Sequence, residues 1–335
     1  MKKHQVALLV LLATAAAITV GCAGSSTSAP SNPTFSKLGF WSSREGSSPL
    51  YTMNLDGSSV TNVAVATDDV WGISTSADNS VLEYTSDNEV WTSNIDGSNA
   101  VQLTDNTDND TYTYSARISP DGKKIVYAVW DNSSNISNLW IMNVDGSNST
   151  NLTATLPSGM TSCFNGSFSA DSTKVAIACF GDSIFGLYTV NIDGTQLATV
   201  MTQSAGIDTP MFTPDSKGIL FVTYGAPGAD LKHAAYSKLP AAYSRRPHRY
   251  GTPGIPPVQG VASVNVDGSN PIMIVTNTNN QEIFESVILN SNLYYAAWNS
   301  DLSFYQIYKA NLDGTGSATV SDGTADDELG VCGDC

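Results

Sequence analysis

One five-residue turn is written six times along this chain. It begins at Asn54 as NLDGS, at Asn94 as NIDGS, at Asn143 as NVDGS, at Asn191 as NIDGT, at Asn265 as NVDGS and at Asn311 as NLDGT. Successive aspartates of these copies stand 40, 49, 48, 74 and 46 residues apart. One copy alone is a strand end and a tight turn. Six copies at this period mark a repeat architecture, in which each unit is one small supersecondary structure. The chemistry of the turn is local. Its glycine accepts the positive φ of a tight hairpin, and its aspartate accepts N–H bonds across the turn.

The third copy shows the whole unit. SARISPDGKKIVYAVW reads as a strand, an SPDG turn and a second strand; NLWIMNVDGSNSTNLTAT reads as a third strand, the Asp-Gly turn and a fourth strand. The first turn recurs as SADN at Ser76, SADS at Ser169 and TPDS at Thr213, and decays to LNSN at Leu289. The second strand, KIVYAVW, is apolar without alternation, as in a sheet covered on both faces. The fourth strands (VTNVAVA, VQLTD, TNLTAT) are richer in threonine and polar residues, which suits an outer edge. Such a unit cannot bury its own faces, so six must cover one another. These features predict an all-β fold, a six-bladed β-propeller of four-stranded antiparallel blades. The first unit starts at KLGFWSS without a first strand. ELGVC, near the C-terminus, is expected to supply that inner strand and close the ring.

Composition agrees. Hydrophobic residues make up 41% of the 335 and charged residues only 14%. Asn, Ser, Thr, Asp and Gly fill the polar positions, which favours strands and turns over long helices. No long amphipathic helical pattern follows residue 30. The first 21 residues are read as an export signal. Lys2 and Lys3 form a basic head, Val6 to Val20 is an apolar run of signal-peptide length, and ITVGC places a small residue before Cys22. This resembles a bacterial lipobox, in which the signal is cut before the cysteine and the thiol is lipidated. Residues 22–36 then form a Ser/Thr/Pro tether with a mean reach of roughly 20 Å. Ala23 follows the cysteine. By resemblance to enteric sorting signals, the absence of Asp there implies the outer membrane. Removing residues 1–21 leaves 13 lysines and arginines against 31 acids, a charge of −18. A chain this acidic is a poor nucleic-acid binder.

The combination SPDGKKIVYA…NLWIMNVDGSNSTNLT resembles the repeat of TolB-type six-bladed propellers, and the resemblance covers nearly all of residues 37–323. There is no room here for the N-terminal domain that precedes the TolB propeller. The α/β-hydrolase domain of prolyl oligopeptidases is absent too. In TolB the propeller mouth docks a lipoprotein partner. The resemblance therefore implies a protein-binding role in the cell envelope, by a monomer held at the membrane through its lipid.

Both turn types of the repeat fall on one face of the disc, and the second-to-third loops and blade links fall on the other. The links are acidic, with Asp68, Asp69, Asp105, Asp108, Asp110, Asp208, Glu282, Glu285, Asp326, Asp327 and Glu328. Converging carboxylates at a central mouth could hold calcium or attract a basic partner. The metal candidates are Asp105, Asp108 and Asp110 in TDNTDNDTY, which lacks the full EF-hand pattern. The 74-residue spacing marks an insertion at 225–260 in the fifth blade, on the acidic side. It carries Lys232, His233, Lys238, Arg245, Arg246, His248 and Arg249, with Tyr236, Tyr243 and Tyr250. These are candidate partner-binding residues, on a basic arm over the acidic mouth or on a loop without a fixed fold. Its prolines argue against a regular element.

Cys163 and Cys179 flank the SADS turn at nearly facing positions. In an exported protein they are a candidate disulfide, with two buried thiols as the alternative. Cys332 and Cys335, in CGDC, have redox-motif spacing but no helix after them to lower a thiol pKa. A local disulfide or a clasp on the closing strand fits them better. No GxSxG, HExxH or phosphate loop is present, and no catalytic set is assigned. Two readings follow. One is a non-catalytic, membrane-anchored protein- or peptide-binding scaffold. The other is a calcium-dependent hydrolase or lyase working at the acidic mouth.

Overall fold

The computed structural model describes residues 37–42, 50–63, 70–106, 110–155, 159–181, 184–224, 258–276, 281–299, 304–322 and 327–329. These form strands and turns, with no helix among them. Blade 1 holds β1 (Lys37–Ser42), β2 (Leu50–Asn54) and β3 (Thr61–Asn62). Blade 2 holds β4 (Val70–Thr75), β5 (Leu82–Ser86), β6 (Glu89–Ser93) and β7 (Val101–Gln102). Blade 3 holds β8 (Thr111–Ile118), β9 (Lys124–Asp131), β10 (Ile136–Asn143) and β11 (Thr150–Asn151). Blade 4 holds β12 (Met160–Phe168), β13 (Lys174–Gly181), β14 (Phe185–Asn191) and β15 (Ala198–Gln203). Blade 5 holds β16 (Gly206–Phe212), β17 (Gly218–Tyr224), β18 (Val258–Asn265) and β19 (Ile272–Thr276). Blade 6 holds β20 (Gln281–Leu289), β21 (Asn292–Asn299), β22 (Phe304–Asn311) and β23 (Ala318–Thr319), and β24 (Asp327–Leu329) follows.

Each blade is a four-stranded antiparallel sheet, and the six make a six-bladed propeller. The ring closes through β24, which lies beside β1 as the inner strand of blade 1. Leu329 pairs with Phe40, Glu328 with Trp41 and Asp327 with Ser42. The closing strand thus begins one residue before the ELGVC stretch, and residues 330–335 lie outside the described residues.

The core is not central. It lies in slices between blades, because each sheet has two apolar faces and no other way to cover them. Val126, Leu139 and Ile141 of blade 3 meet Val175, Ile177 and Val190 of blade 4. Leu50 and Val63 of blade 1 pack with Ile73, Leu82 and Tyr84 of blade 2. Val90 of blade 2 meets Ile118, Ile125 and Met142 of blade 3. The largest slice joins blades 4, 5, 6 and 1 and includes Leu38, Phe221, Leu293 and Ile307.

The repeated turn has one structure throughout. In the first copy Ser58 donates its N–H (2.9 Å) and its hydroxyl (2.6 Å) to the same Asp56 oxygen. Asn54 donates its amide to the Ser58 hydroxyl at 2.9 Å. The six turn glycines have φ between +80° and +87°. Neighbours also require glycine. A β-carbon at Gly57 would stand 2.1 Å from the Val320 carbonyl oxygen, and one at Gly314 would stand 2.0 Å from that of Ile274. Val320 closes blade 6 and Gly57 opens the turn of blade 1; Ile274 and Gly314 stand in the same relation between blades 5 and 6. Each such turn therefore seats on the outer strand of the blade before it. The residue seven after the motif aspartate (Val63, Leu103, Leu152, Val200, Ile274, Val320) is the apolar anchor of that seam.

The first-to-second turns make an inner collar on the same face. Ala77 donates its N–H to the Pro120 carbonyl (2.9 Å). The Asp121 N–H reaches the Ser172 hydroxyl (3.2 Å), and the Ala170 N–H reaches the Ser216 hydroxyl (3.2 Å). Blades 2 to 5 are thus hydrogen-bonded turn to turn.

Candidate functional site

The opposite, loop face is where the blades differ, and between blades 2 and 3 three of its segments are tied into one surface. The β5–β6 hairpin turns at Asp87 and Asn88, with φ of +52° and +65°. The blade link reaches back to it: the Asn106 N–H (2.5 Å) and amide (2.9 Å) both donate to the Glu89 carboxylate, as does the Thr104 hydroxyl (2.5 Å). Thr113 donates its N–H to the Asn88 carbonyl (3.0 Å), and Asn132 of the β9–β10 loop donates to the Asp110 carbonyl (2.8 Å). Glu89 is therefore a buried structural carboxylate that folds the link. Asp87, Asp105 and Asp110 are exposed. Hydroxyls of Ser133 and Ser134, with the Ser133 N–H, hold the Asp131 pKa down to about 2, so it is ionised at any physiological pH.

Among the described residues both faces are acidic, and only the lysines are segregated. All six described lysines (Lys37, Lys123, Lys124, Lys174, Lys217, Lys309) sit in the turns or within three residues of the strand ends that meet them. Among the described residues the loop face carries Asp87, Glu89, Asp105, Asp110 and Asp131 and no lysine. The one described arginine, Arg117, is buried in β8.

The inner wall has its own device. The five full-length inner strands, β4, β8, β12, β16 and β20, are each broken in register by one residue against the second strand, β12 twice. A bulge bends a strand and re-aims its side chains. In blade 5 it falls at Asp208-Thr209-Pro210. Thr209 has φ +42°, a strained value for a β-branched residue, and its N–H returns to the Asp208 carboxylate at 2.7 Å. Asp208 is 4% exposed and accepts the amide of Asn165 from the bulge of blade 4. Tyr114, at the bulge of blade 3, donates to Ser137 (2.7 Å), whose N–H donates to the Ser162 hydroxyl (3.1 Å). Desolvation pushes the Tyr114 pKa up, with the Asp208 charge adding to it and the Ser137 bond offsetting part. Blades 3, 4 and 5 thus bring a carboxylate, an amide and a phenol to one level of the inner wall. Aromatic rings border it: Tyr112 stacks on Trp130 (6.2 Å), and Phe164, Phe180, Phe185 and Tyr224 form a continuous chain of ring contacts.

This corrects the sequence reading of Asp208 as an exposed mouth acid. The link from blade 4 to blade 5 is only Ser204 and Ala205, so Asp208 falls inside β16. Glu282, Glu285, Asp327 and Glu328 likewise belong to strands β20 and β24 rather than to free links. Asn165 and Tyr114 carried no sequence signal, because the bulge recurs from blade to blade while the residue types beside it do not. Of the metal candidates, Asp105 and Asp110 are surface residues of one link and Asp108 lies outside the described residues. Among the described residues no three His, Cys, Asp or Glu side chains gather as a metal site. Cys163 and Cys179 are joined by a disulfide between β12 and β13, one residue from the blade 4 bulge. Cys22, Cys332, Cys335, and Lys232, His233, Lys238, Arg245, Arg246, His248 and Arg249 of the insertion all lie outside the described residues. The strands bounding the insertion end at Tyr224 and resume at Val258. Elsewhere, a pocket of about 290 Å³ opens on the rim where Asp56 and Gly57 meet Val320 to Asp322. It shares no residue with the loop face.

No protein-family model matches the chain, and no curated protein does. Solved structures do, and TolB propellers are among them. TolB from Acinetobacter baumannii superposes with a TM-score of 0.63 at 10% identity, covering 87% of this chain and 64% of that one, so this chain spans under two thirds of that protein. A chain of a nidogen/laminin complex gives a TM-score of 0.61 at 12% identity, covering 88% and 99%. An oligogalacturonate lyase in complex with manganese gives 0.50 at 13% identity, covering 85% and 72%. At these identities the likeness is one of fold alone, and the fold shared with the TolB structures is the six-bladed propeller.

Proposed function

We propose that this protein is a lipid-anchored lipoprotein of the bacterial cell envelope, attached through Cys22, that binds a protein or peptide partner on the loop face without catalysing a reaction. The observation that carries this reading is the inequality of the two faces. The turn face repeats one structure six times, and its ten turn aspartates are partly offset by six lysines. The loop face is where the blades diverge, and its described surface is acidic. A cationic or amphipathic partner fits such a surface. The nidogen/laminin match supports the reading, since a propeller of this shape there stands in a protein complex. The test is a pull-down from envelope extract with protein starting at Ala23, beside the same bait lacking residues 229–254, which leaves β18 whole. A specific partner for the full bait supports the reading, and loss of that partner from the shortened bait assigns it to the basic insertion. Absence of any partner for both baits rejects it.

A second reading is a metal-dependent hydrolase or lyase. It rests on the buried Asp208–Asn165 pair beside the half-buried Tyr114, with support from the manganese-bound lyase of the same fold. A rise in melting temperature with manganese or calcium that disappears in Asp208→Asn would favour it over pure binding.

A further inference from the structure

We propose that the turn face of the propeller is turned toward the membrane and that the loop face points away from it. The proposal rests on the lipid anchor at Cys22 proposed above, and it names the surface that the anchor leaves open to a partner. The place where the chain enters the ring carries it. In blades 3 to 5 the second strand starts where the first-to-second turn ends, at the turn face. There Lys124 stands opposite Asn143, Lys174 opposite Asn191 and Gly218 opposite Asn265, each partner being the first residue of its NxDG turn. β1 is the second strand of blade 1, and Lys37 stands opposite Asn54 in the same way. Lys37 is therefore at the turn-face end of its strand, and Trp41, opposite Leu50, is toward the loop-face end. In the other blades a turn from the inner strand leads into this position. In blade 1 the inner strand is β24, from the other end of the chain, so the tether arrives there instead.

Reach decides the orientation. A route from Lys37 round the rim first crosses β2 and β3, two strand spacings or about 10 Å. It then runs the height of the blade, about 26 Å for an eight-residue strand such as β9. The loop-face plane is thus about 36 Å away along the surface before any side chain is cleared. Residues 22–36 hold no charged side chain that would stretch them by repulsion. Their mean reach is roughly 20 Å and their full extension about 50 Å. The loop face can meet the bilayer only with the tether drawn far beyond its mean reach, which removes most of its conformations. The turn face meets it at no such cost. Adhesion does not set the orientation, because ten turn aspartates outnumber six lysines on the turn face and an anionic leaflet does not attract it. The open side then presents Asp87, Asp105, Asp110 and Asp131, and the chain leaves for the insertion at Tyr224 and returns at Val258 on that side.

Energy transfer on the mature protein, purified from membranes with its own lipid and reconstituted into phosphatidylcholine vesicles, tests this. A donor fluorophore is placed on Lys123→Cys at the turn face or on Asp105→Cys at the loop face, in a Cys332→Ser, Cys335→Ser background. Both positions are exposed and lie in one sector of the ring, so they differ mainly in height. The acceptor is carried on lipid headgroups. Near-ultraviolet circular dichroism confirms that each variant is folded. Transfer is expected to be several-fold faster from position 123 than from position 105. Equal transfer, as from a disc standing on its rim, overturns the orientation and leaves the anchor in place; so does faster transfer from position 105. Protein that fails to float with the vesicles overturns the anchor, and the proposal with it.

Discussion

At the scale of single residues, the repeat lets one blade serve as the control for another. Tyr127 and Tyr295 occupy equivalent positions in blades 3 and 6. Each is hydrogen-bonded at 2.6 Å to the serine four residues after its motif aspartate, Ser149 and Ser317. Tyr84 is their counterpart in blade 2. There the matching residue is Ala100, and the fully buried Tyr84 hydroxyl has no partner. Ala100→Ser is therefore expected to stabilise the protein by about 1 kcal/mol, and Ser149→Ala to destabilise it by a similar amount. Urea unfolding of both variants checks this; no gain from the first together with a loss from the second would show that Tyr84 cannot reach a serine there. Gly314→Ala places a β-carbon at φ +81° and against the Ile274 carbonyl. The left-handed backbone alone costs about 1 kcal/mol and the collision adds to it, so a loss of about 2 kcal/mol or more is expected. A loss below about 0.5 kcal/mol would mean that the seam yields.

At the scale of elements, turns and hairpins set the responses to acid and to reductant. The turn aspartates, Asp78, Asp171 and Asp215 among them, have pKa values lowered by their serine or threonine hydroxyls and backbone N–H groups. A carboxylate lowered on folding contributes stability that is present above its unfolded value near 3.8 and is lost as pH falls toward its folded value. For Asp131 that window runs from 3.8 down to about 2. Melting temperature is expected to be nearly flat from roughly pH 7 to 5 and to fall below roughly pH 4. A steep fall already between pH 7 and 5 would show that some other group dominates. The disulfide closes a separation of 16 residues, for which loop-closure entropy gives about 3 kcal/mol. The double variant Cys163→Ala, Cys179→Ala should lose about that much. A larger loss, accompanied by a change in the near-ultraviolet spectrum, would place the bond among the supports of the Asn165 bulge.

At the scale of the whole molecule, the ring is a closed circuit of seams, and its closure rests on a short strand. Removing residues 327–335 deletes the only described inner partner of β1. Loss of the single cooperative melt is expected, because blade 1 then keeps an open inner edge and blades 6 and 1 share less surface. An unchanged melt would mean that packing alone closes the ring. The proposed lipid anchor is tested at this scale too. Cys22→Ser should abolish palmitate labelling and release the protein from the membrane fraction, and retention there would reject the lipid anchor.

The sequence alone determined the architecture. Six NxDG[ST] motifs, each closing an apolar third strand and spaced 40 to 49 residues apart save for one spacing of 74, set the blade count, the strand count and the face on which the turns gather. That information is local, because a turn declares itself through the φ of Gly57 or the hydroxyl of Ser58, and local chemistry survives in a linear text. The tertiary structure decided what lies across seams. It placed Asp208 inside a strand beside Asn165, 43 residues away, and seated Gly57 on Val320. It buried Glu89 under its own link, and it left Ile272 and Met273 exposed. The Gly57 seat recurs at one offset from blade to blade, but the Asp208 contact follows no period, since it depends on a partner from another blade, and only closing the ring brings the blades together.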